Sequence, residues 1–313
     1  LVGSIPFAQV GSPLALAVIA AVLGPLVPPV RCPRPWRTPI VVAATALAGT
    51  GAAWALWPAG PALPPPTGFR LTFLDVGQGD AVLLQVPEGA VLVDQGPPEA
   101  RVGGLLRGLG VRRLDLLVIT HPARDHAGGA AEVLRGTRVA GMLYPRQAGS
   151  SRREEALELA ADRSVRVLDA RAGQRYTLGR LVLRVLWPAG PGVPGQDPNE
   201  RAVVILATYG SIDALLTADA ESDITGRLAL PRVEILKVAH HGSSDDGLPA
   251  LLERLRPRVA VISVGAGNDY GHPTPSTLAA LADAPSLRLF RTDRDGTVSV
   301  ESDGRGIGVR TTG

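Results

Sequence analysis

The histidines of this chain, His121, His126, His240, His241 and His272, all lie in short polar loops. Each loop contains turn-forming residues and follows an apolar run typical of a buried strand. Loops at strand ends are where open α/β folds carry their binding sites. One isolated histidine is usually structural, whereas five histidines confined to a few loops indicate a shared site.

Carboxylates accompany these histidines. The stretch "HPARDH" (121–126) contributes Asp125, and "LLTADAE" (215–221) ends an apolar run on Asp219. Histidine and carboxylate ligands suit Zn²⁺, Mn²⁺ or iron. A divalent metal lowers the pKa of its water to about 7, which supplies a nucleophile at neutral pH. Asp125 could orient that water while a loop histidine protonates the leaving group, so these residues predict a metal-dependent hydrolase.

Other enzyme classes fit less well. A serine hydrolase would need the G-x-S-x-G nucleophile elbow, which the sequence lacks. The stretch "GQGD" (77–80) is too short to form a phosphate-binding loop. The single cysteine, Cys32, excludes an internal disulfide.

Arginine dominates the basic residues, since Lys237 is the only lysine among 32 basic residues. This bias fits either a GC-rich coding sequence or an arginine surface that binds phosphate. Residues 1–67 carry three arginines and no acid, which leaves 29 basic against 29 acidic residues in 68–313. Net charge alone therefore does not predict nucleic-acid binding for residues 68–313.

The first residues have the composition of a membrane segment. Residues 12–30 and 38–57 are uncharged, and each is close to the roughly 20 residues that cross a bilayer. The arginine-rich stretch "RCPRPWR" (31–37) between them is expected in the cytoplasm. We therefore predict two transmembrane helices within residues 1–57, with the later residues on the extracytoplasmic side. A buried helical hairpin is the alternative.

A proline-rich stretch, "PAGPALPPPTG" (58–68), predicts a linker between this segment and a domain at 69–313. After the linker, short apolar strands alternate with helices. The predicted strands are 70–75, 81–86, 90–94, 114–120, 138–144, 180–188, 202–210, 213–219, 233–239, 259–265 and 287–292, and the predicted helices are 128–135, 153–163, 246–255 and 274–283. Strand pairs followed by βα units predict two sheets covered by helices.

Seven stretches resemble, in order, the metallo-β-lactamase superfamily and, within it, the C-terminal domain of the ComEC family of competence DNA-uptake channels. They are "LDVGQGDAVLL" (74–84), "VLVDQG" (91–96), "LDLLVITHPARDHAGG" (114–129), "LLTADAE" (215–221), "EILKVAHHGSS" (234–244), "SVGAGNDYGHP" (263–273) and "FRTDRDGTVSV" (290–300). The resemblance implies an αββα sandwich of two mixed sheets flanked by helices, preceded by two transmembrane helices. It also implies that the chain, which begins at Leu1 and has Met142 as its only methionine, is part of a longer protein.

The resemblance implies a role for each candidate site residue. The implied metal ligands are His121 at the first site, Asp125, His126 and His241 at the second site, and Asp219 bridging the two. His240 is the alternative to His241 as a ligand. Asp125, His240 and His272 are the expected catalytic residues. Asp80, Asp94, Asn199 and Ser243 are expected to line the site.

Three residues depart from the superfamily pattern. Ala123 stands where the H-x-H-x-D-H motif has its second histidine. The third first-site histidine is also missing, and Asn199, a weak neutral ligand, is the nearest candidate. Ala218 replaces the usual glycine before Asp219. We therefore expect one firmly held metal, Zn or Mn, and a weak or substrate-completed second position.

The resemblance implies DNA as the substrate. The leading interpretation is a nuclease in the bacterial cell membrane that degrades the non-transported strand during natural transformation. Its partners would be DNA, the membrane and the upstream channel part of the same protein. Ala123 and Asn199 motivate one alternative, a catalytically degenerate module that guides DNA without cutting it. A metallo-hydrolase of small substrates is the other alternative.

Overall fold

The computed structural model describes residues 66–145, 151–191 and 197–313. The two predicted transmembrane helices, and most of the predicted linker, fall outside these ranges. Within them, no helix combines the length and apolar character needed to cross a bilayer.

The first sheet is mixed. Its strands are β1 (Phe69–Phe73), β2 (Val82–Val86), β3 (Gly89–Val93), β5 (Leu116–Val118), β7 (Gly141–Tyr144), β8 (Arg166–Asp169), β16 (Val298–Ser302) and β17 (Ile307–Thr311). Their order is β17-β16-β1-β2-β3-β5-β7-β8. Pairing is antiparallel from β17 to β3 and parallel from β3 to β8. Two short strands, β4 (Arg113–Leu114) and β6 (Arg138–Val139), form a separate parallel pair.

The second sheet is mixed as well. Its strands are β9 (Arg175–Leu178), β10 (Leu181–Trp187), β11 (Val204–Tyr209), β12 (Ile212–Leu216), β13 (Ile235–Lys237), β14 (Val259–Ile262) and β15 (Arg288–Arg291). They lie in the order β15-β14-β13-β12-β11-β10-β9. The hairpins from β9 to β12 are antiparallel and the strands from β12 to β15 are parallel. Parallel strands bring their carboxyl ends to one edge, which is where the site forms.

Helices cover the outer face of each sheet. They are α1 (Val102–Gly108), α2 (Arg124–Ala127), α3 (Ala130–Gly136), α4 (Ser151–Asp162), α5 (Ser222–Thr225), α6 (Leu248–Leu255), α7 (Pro275–Asp283) and α8 (Thr292–Asp295). In α6 the buried residues are Leu248, Leu251, Leu252 and Leu255. This spacing gives the helix one apolar stripe, which packs against the second sheet.

Three apolar cores hold the layers together. The central core lies between the sheets and includes Leu71, Leu84, Leu183, Ile205 and Val261. A second core joins the first sheet to α1, α3 and α4, and a third joins the second sheet to α6 and α7. The predicted sandwich of two mixed sheets flanked by helices is therefore confirmed.

The structure corrects some element boundaries. The predicted strand 114–120 is divided at Asp115, whose side chain accepts a hydrogen bond from the Ala90 N–H at 3.1 Å. The predicted strand 138–144 is likewise divided into β6 and β7. Strands β8, β9, β16 and β17 and helix α1 were not predicted. β8 and β9 are too exposed to show apolar alternation in the sequence.

Candidate metal centre

Loops that follow strands of both sheets meet at one edge of the sandwich. In the first sheet, Asp94 follows β3 and His121 follows β5. In the second sheet, Asp219 follows β12, His241 follows β13 and Ser263 follows β14. The strand order therefore brings residues from distant parts of the chain into one buried cluster.

Donor atoms of Asp125, His126 and His241 lie close together, and Asp219 lies beside both histidines. The Nε2 atom of His126 lies 3.3 Å from Nε2 of His241 and 3.1 Å from Oδ1 of Asp219. The Nε2 atom of His241 lies 3.2 Å from Oδ2 of Asp125 and 3.8 Å from Oδ1 of Asp219. Ligands on a tetrahedral ion with bonds of about 2.1 Å stand about 3.4 Å apart. The four atoms therefore have the spacing of a divalent metal site.

Buried polar atoms without partners support the same conclusion. Among the described residues, Oδ1 of Asp219 and Nε2 of His121 are buried and have no hydrogen-bond partner. An unsatisfied buried polar group costs about 1–3 kcal/mol. A metal ion bound to these atoms would remove that cost, so the residues present fit a divalent cation.

Supporting hydrogen bonds fix the tautomers of both second-site histidines. The Nδ1–H of His126 donates to Oδ2 of Asp94 at 2.7 Å. The Nδ1–H of His241 donates to the Ser263 carbonyl at 2.8 Å. Each bond leaves a lone pair on Nε2, the atom that lies near the other donors. Such outer bonds orient metal-binding histidines and raise their basicity.

His121 is held in the same way by a short relay. The hydroxyl of Thr120 donates to Oδ2 of Asp94 at 2.7 Å, so its oxygen accepts the Nδ1–H of His121 at 3.0 Å. The backbone N–H of Thr120 also donates to Asp94 Oδ1 at 2.8 Å. Asp94 therefore supports His121 and His126 together and stays behind the ligands.

Lys237 and Asp80 form a buried ion pair beneath the cluster. The Lys237 ammonium contacts Oδ2 of Asp80 and donates to the Ala218 carbonyl at 2.9 Å. Asp80 lies on the Nδ1 side of the histidine rings, with its carboxylate 3.7 Å from His126 and 3.6 Å from His241. Asp80 was expected to line the site, and the structure places it as a support behind the rings.

The loop before Asp219 bends through a left-handed residue. Ala218 has a φ of 49°, a conformation that favours glycine because it crowds Cβ against the backbone. Two donors hold its carbonyl, Nζ of Lys237 at 2.9 Å and the His240 N–H at 3.1 Å. The chain therefore keeps the turn that presents Asp219 despite the missing glycine.

Charges within the cluster shift the pKa values of its members in the metal-free protein. Burial opposes charge on His126, but the carboxylates of Asp219, Asp94 and Asp80 outweigh it and raise its pKa well above 6.5. Burial also opposes charge on Asp125, but His241 and His126 outweigh it and lower the pKa of Asp125 to about 2. Asp125 is therefore ionised at neutral pH, and an entering cation displaces a proton from His126.

The first metal position has fewer donors. Nε2 of His121 lies 3.5 Å from Oδ2 of Asp219, and Ala123 supplies no ligand atom. Asn199 turns its amide toward His240, with Nδ2 3.4 Å from Nε2. His240 Nε2 is itself 3.9 Å from Oδ2 of Asp219. The structure thus brings Asn199 to the rim of this position, beside His240.

Glu221 holds His240 from behind. The Nδ1–H of His240 donates to Oε1 of Glu221 at 2.8 Å, and the Ser243 hydroxyl contacts the same oxygen. Ser243 was expected to line the site, but its side chain faces Glu221. Glu221, Lys237, Thr120 and Ser263 were missed as site residues. All four lie in the stretches that carry the family resemblance, and Lys237 is also the only lysine of the chain, but neither signal indicates which contacts these residues make.

His272 lies at the opening of the site. Its ring centroid is 5.7 Å from that of His240, and its Nδ1 atom is buried without a hydrogen-bond partner among the described residues. Burial and the neighbouring His240 lower the pKa of His272. The structure therefore places a neutral histidine beside one whose pKa Glu221 raises.

Replacing Glu221 with glutamine should remove a pH-dependent part of the stability of the metal-free protein. Because the pKa of His240 is raised, its contribution to the free energy of unfolding is fully present below about pH 6.5. That contribution is lost as the pH rises through the raised pKa. The pKa of Glu221 is lowered, so its contribution is lost only in more acidic solution. We expect Glu221→Gln to cost up to about 1 kcal/mol near pH 6 and less above pH 8.

Urea unfolding of the chelated chain at several pH values measures this difference. NMR titration of the His240 ring in both proteins provides a second measurement, and its pKa should fall in the Glu221→Gln variant. A stability difference that does not change with pH would contradict the assignment.

Comparison with known proteins places this centre in a family. A sequence model of the metallo-β-lactamase superfamily matches residues 74–266, which include every donor atom of the cluster. The chain belongs to the metallo-β-lactamase superfamily. The match includes strands of both sheets and the loops that carry the ligands, whereas β1 and β15 to β17 lie outside it.

Three curated relatives are similar to this chain, and the names of two of them refer to competence and to recombination. The chain is 28% identical to ComE operon protein 3 of Bacillus subtilis over 254 residues, 73% of this chain and 32% of the relative. It is 30% identical to competence protein ComA of Neisseria gonorrhoeae over 302 residues, 93% of this chain and 39% of the relative. It is 29% identical to recombination protein 2 of Haemophilus influenzae, covering 68% of this chain. The chain spans about a quarter to two-fifths of these relatives, between 26% and 39%.

Solved structures show the same superfamily fold. The metallo-beta-lactamase fold protein YhfI of Bacillus subtilis is similar over 72% of this chain and 96% of its own chain, with a TM-score of 0.52 and 13% identity. CmlA, a diiron beta-hydroxylase of Streptomyces venezuelae, is similar over 76% of this chain and 55% of its own, with the same TM-score. At this identity the likeness concerns the fold alone.

Proposed function

We propose that this chain is the metal-dependent nuclease part of a ComEC-like DNA-uptake channel. It would cleave phosphodiester bonds of the DNA strand that is not transported during natural transformation. The cluster of His126, His241, Asp125 and Asp219 carries the proposal, because its four donors have the spacing of a metal site. The competence and recombination names of the curated relatives supply the DNA substrate.

The four donors would hold a firmly bound Zn or Mn ion, and His121 and Asp219 would hold a weaker second ion. A bound divalent metal supplies a Lewis acid for the phosphoryl oxygen and an activated water. Asp125 has its carboxylate at the open side of the cluster, where it is 29% exposed. Asp125 can therefore orient the attacking water as well as bind metal.

His240 and His272 would have different roles in proton transfer. Glu221 raises the pKa of His240, which favours the protonated ring that can give its proton to the leaving oxygen. Burial lowers the pKa of His272, so this histidine is neutral and can accept a hydrogen bond or a proton at the same phosphate. Neighbouring groups whose pKa values are driven apart are typical of an acid and a base in one site.

The same proposal covers the organisation of the chain. Residues 1–57 would form two transmembrane helices, 58–68 a linker, and 69–313 the hydrolase domain on the extracytoplasmic side of the bacterial membrane. The alignment to competence protein ComA covers 93% of the chain and so includes residues before the sandwich. DNA, the membrane and the upstream channel part would be its partners.

A nuclease assay tests this function. The full chain in detergent, stripped of metal with a chelator, would be given 5′-labelled linear single-stranded DNA with or without Mn²⁺ or Zn²⁺. We expect cleavage only with metal, and none from the Asp125→Ala variant, which loses a ligand. The exposed Asp246→Ala variant, which alters a carboxylate outside the cluster, should cleave at the wild-type rate.

Ala123 favours one competing function, a DNA-guiding module without catalysis. A folded wild-type chain that binds DNA but cleaves nothing with any metal would establish that alternative and refute the nuclease. Cleavage of small phosphodiesters but not DNA would instead favour a small-substrate hydrolase.

A further inference from the structure

Tyr270 is the most exposed large hydrophobic side chain among the described residues. Its side chain is 69% exposed, compared with 39% for Val167 and 37% for Leu105. Exposing a tyrosine ring to this extent leaves most of its apolar faces in contact with water. Such a ring at the opening of a site is available to a ligand.

The loop that carries Tyr270 is fixed by one side chain. Oδ1 of Asn268 accepts hydrogen bonds from the backbone N–H groups of Tyr270 and His272, both at 3.1 Å. The Nδ2 group of Asn268 donates to the carbonyls of Gly265 at 3.0 Å and His272 at 2.7 Å. The backbone under Tyr270 is therefore ordered before any ligand arrives, which reduces the entropy lost on binding.

A row of rings leads from Tyr270 to the metal centre. The ring of Tyr270 is 6.0 Å from that of His272, with an interplanar angle of 33°. His272 in turn lies 5.7 Å from His240, and His240 lies 6.2 Å from His241. A nucleotide whose phosphate reaches the donor cluster would therefore have its base, or that of the next nucleotide, near Tyr270.

We propose that Tyr270 is a stacking platform for an unpaired nucleobase beside the metal centre, so that DNA is engaged as a single strand. This inference rests on the nuclease function proposed above and adds the form of the substrate. Bases in a duplex already stack on their neighbours, so a side chain can stack only on a base that is unpaired or at an end. Stacking is tolerant of sequence because every base has an aromatic face.

The surroundings of Tyr270 favour a base over a protein partner. The other exposed large hydrophobic side chains of the described residues, Val167 and Leu105, lie in β8 and α1, so Tyr270 shares its loop with no second exposed apolar side chain of this size. One exposed ring is enough to stack on a nucleobase, because the flat face of a base is similar in size to the tyrosine ring. Arg124, which is half-exposed, lies near Tyr270 and supplies a cation on the same rim, although it is paired with Glu99.

Binding without catalysis gives the first test. The full chain in detergent and chelator would be titrated against fluorescein-labelled single-stranded DNA, with anisotropy as the signal, and a covalently closed circular duplex, which has neither ends nor unpaired bases, would be added as the unlabelled duplex competitor. We expect Tyr270→Ala to bind the single strand on the order of tenfold more weakly and the duplex unchanged. Tyr270→Phe, which keeps the ring, should bind like wild type. Leu105→Ala, which removes an exposed apolar side chain elsewhere, should also bind like wild type.

Abasic DNA gives the second test, now with metal. If Tyr270 stacks on a base, Tyr270→Ala should raise KM about tenfold on normal single strands with little change in kcat. The difference from wild type should disappear on strands whose terminal nucleotides lack bases.

The outcomes separate this inference from the nuclease itself. A wild-type chain that cleaves no DNA refutes the proposed function, while the chelated binding assay still decides on Tyr270. Equal single-strand affinity in wild type and Tyr270→Ala would overturn the stacking role. An equal increase in KM for Tyr270→Ala on normal and abasic strands would also overturn the stacking role. Circular dichroism of the variants checks that the substitution has not altered the fold.

Discussion

Lys237→Met should lower the free energy of unfolding of the metal-free protein by about 3–5 kcal/mol, the usual cost of removing one partner from a buried ion pair. Lys237 is buried, contacts the buried carboxylate of Asp80 and donates to the Ala218 carbonyl. Its removal leaves the buried carboxylate of Asp80 without its closest counterion, with only the rings of His126 and His241 nearby, at 3.7 and 3.6 Å. Urea unfolding of the chelated chain at pH 7 measures the loss.

The chemistry of this position explains why the only lysine of the chain lies here. An ammonium is compact and has few donors to satisfy, whereas a guanidinium needs room and up to five acceptors. Lys237→Arg should therefore also destabilise the protein, although the charge is kept. This result would show that the shape of the buried cation matters as well as its charge.

Two controls make the prediction sharp. The double variant Lys237→Met/Asp80→Leu removes both charges, and it should be much less destabilised than Lys237→Met alone. Arg135→Met breaks the exposed pair between Arg135 and Glu155, whose side chains are 56% and 52% exposed, and should cost less than about 1 kcal/mol. If Lys237→Met cost no more than Arg135→Met, the buried pair would be of no consequence for stability.

Asp219→Asn should reduce metal affinity by more than about a hundredfold, beyond the 10–100-fold typical of residues that only support a ligand. Oδ1 of Asp219 lies 3.1 Å from His126 and Oδ2 lies 3.5 Å from His121, so one carboxylate would serve both proposed metal positions. His126 and His241 hold the pKa of Asp219 well below its usual range, so the charge is present at neutral pH. Asparagine keeps the size and loses that charge.

Competition of the chain with a chromogenic chelator for Zn²⁺ or Mn²⁺ measures this affinity. Asp94→Asn provides a graded comparison, because Asp94 supports His121 and His126 from behind. This substitution should reduce the metal affinity by about 10–100-fold. Asp246→Asn changes an exposed carboxylate and should leave the affinity unchanged. An Asp219→Asn variant that binds metal as tightly as Asp94→Asn would show that Asp219 does not bridge the positions.

The sequence predicted the sandwich and the cluster because both depend on local signals. Apolar runs that end on "HPARDH" or on Asp219 indicate strands that deliver ligands, and these strands are observed. The supporting residues were harder to predict. Lys237, Glu221 and Ser263 act through contacts between segments far apart in the chain, and such contacts leave no periodicity or spacing in the sequence.

The choice between His240 and His241 shows the same limit. The two residues are adjacent in the sequence and both have left-handed backbone conformations, with φ of 48° and 53°. Only the tertiary contacts separate them: Nε2 of His241 faces Asp125 and His126, whereas Nδ1 of His240 is held by Glu221. No pattern in "KVAHHGSS" could have told which ring turns inward.

The donors of the metal centre come from both sheets, and His126 and His241 are 115 positions apart. Neither half of the sandwich carries a complete set, so the centre exists only after the two sheets have docked. The site therefore forms only when the fold is complete, and a partly folded chain has no tight cation site. Once docked, metal at a hundred times its Kd favours the folded state by about 2.7 kcal/mol. A cell that withholds the ion would therefore withdraw the proposed nuclease activity and part of the stability together.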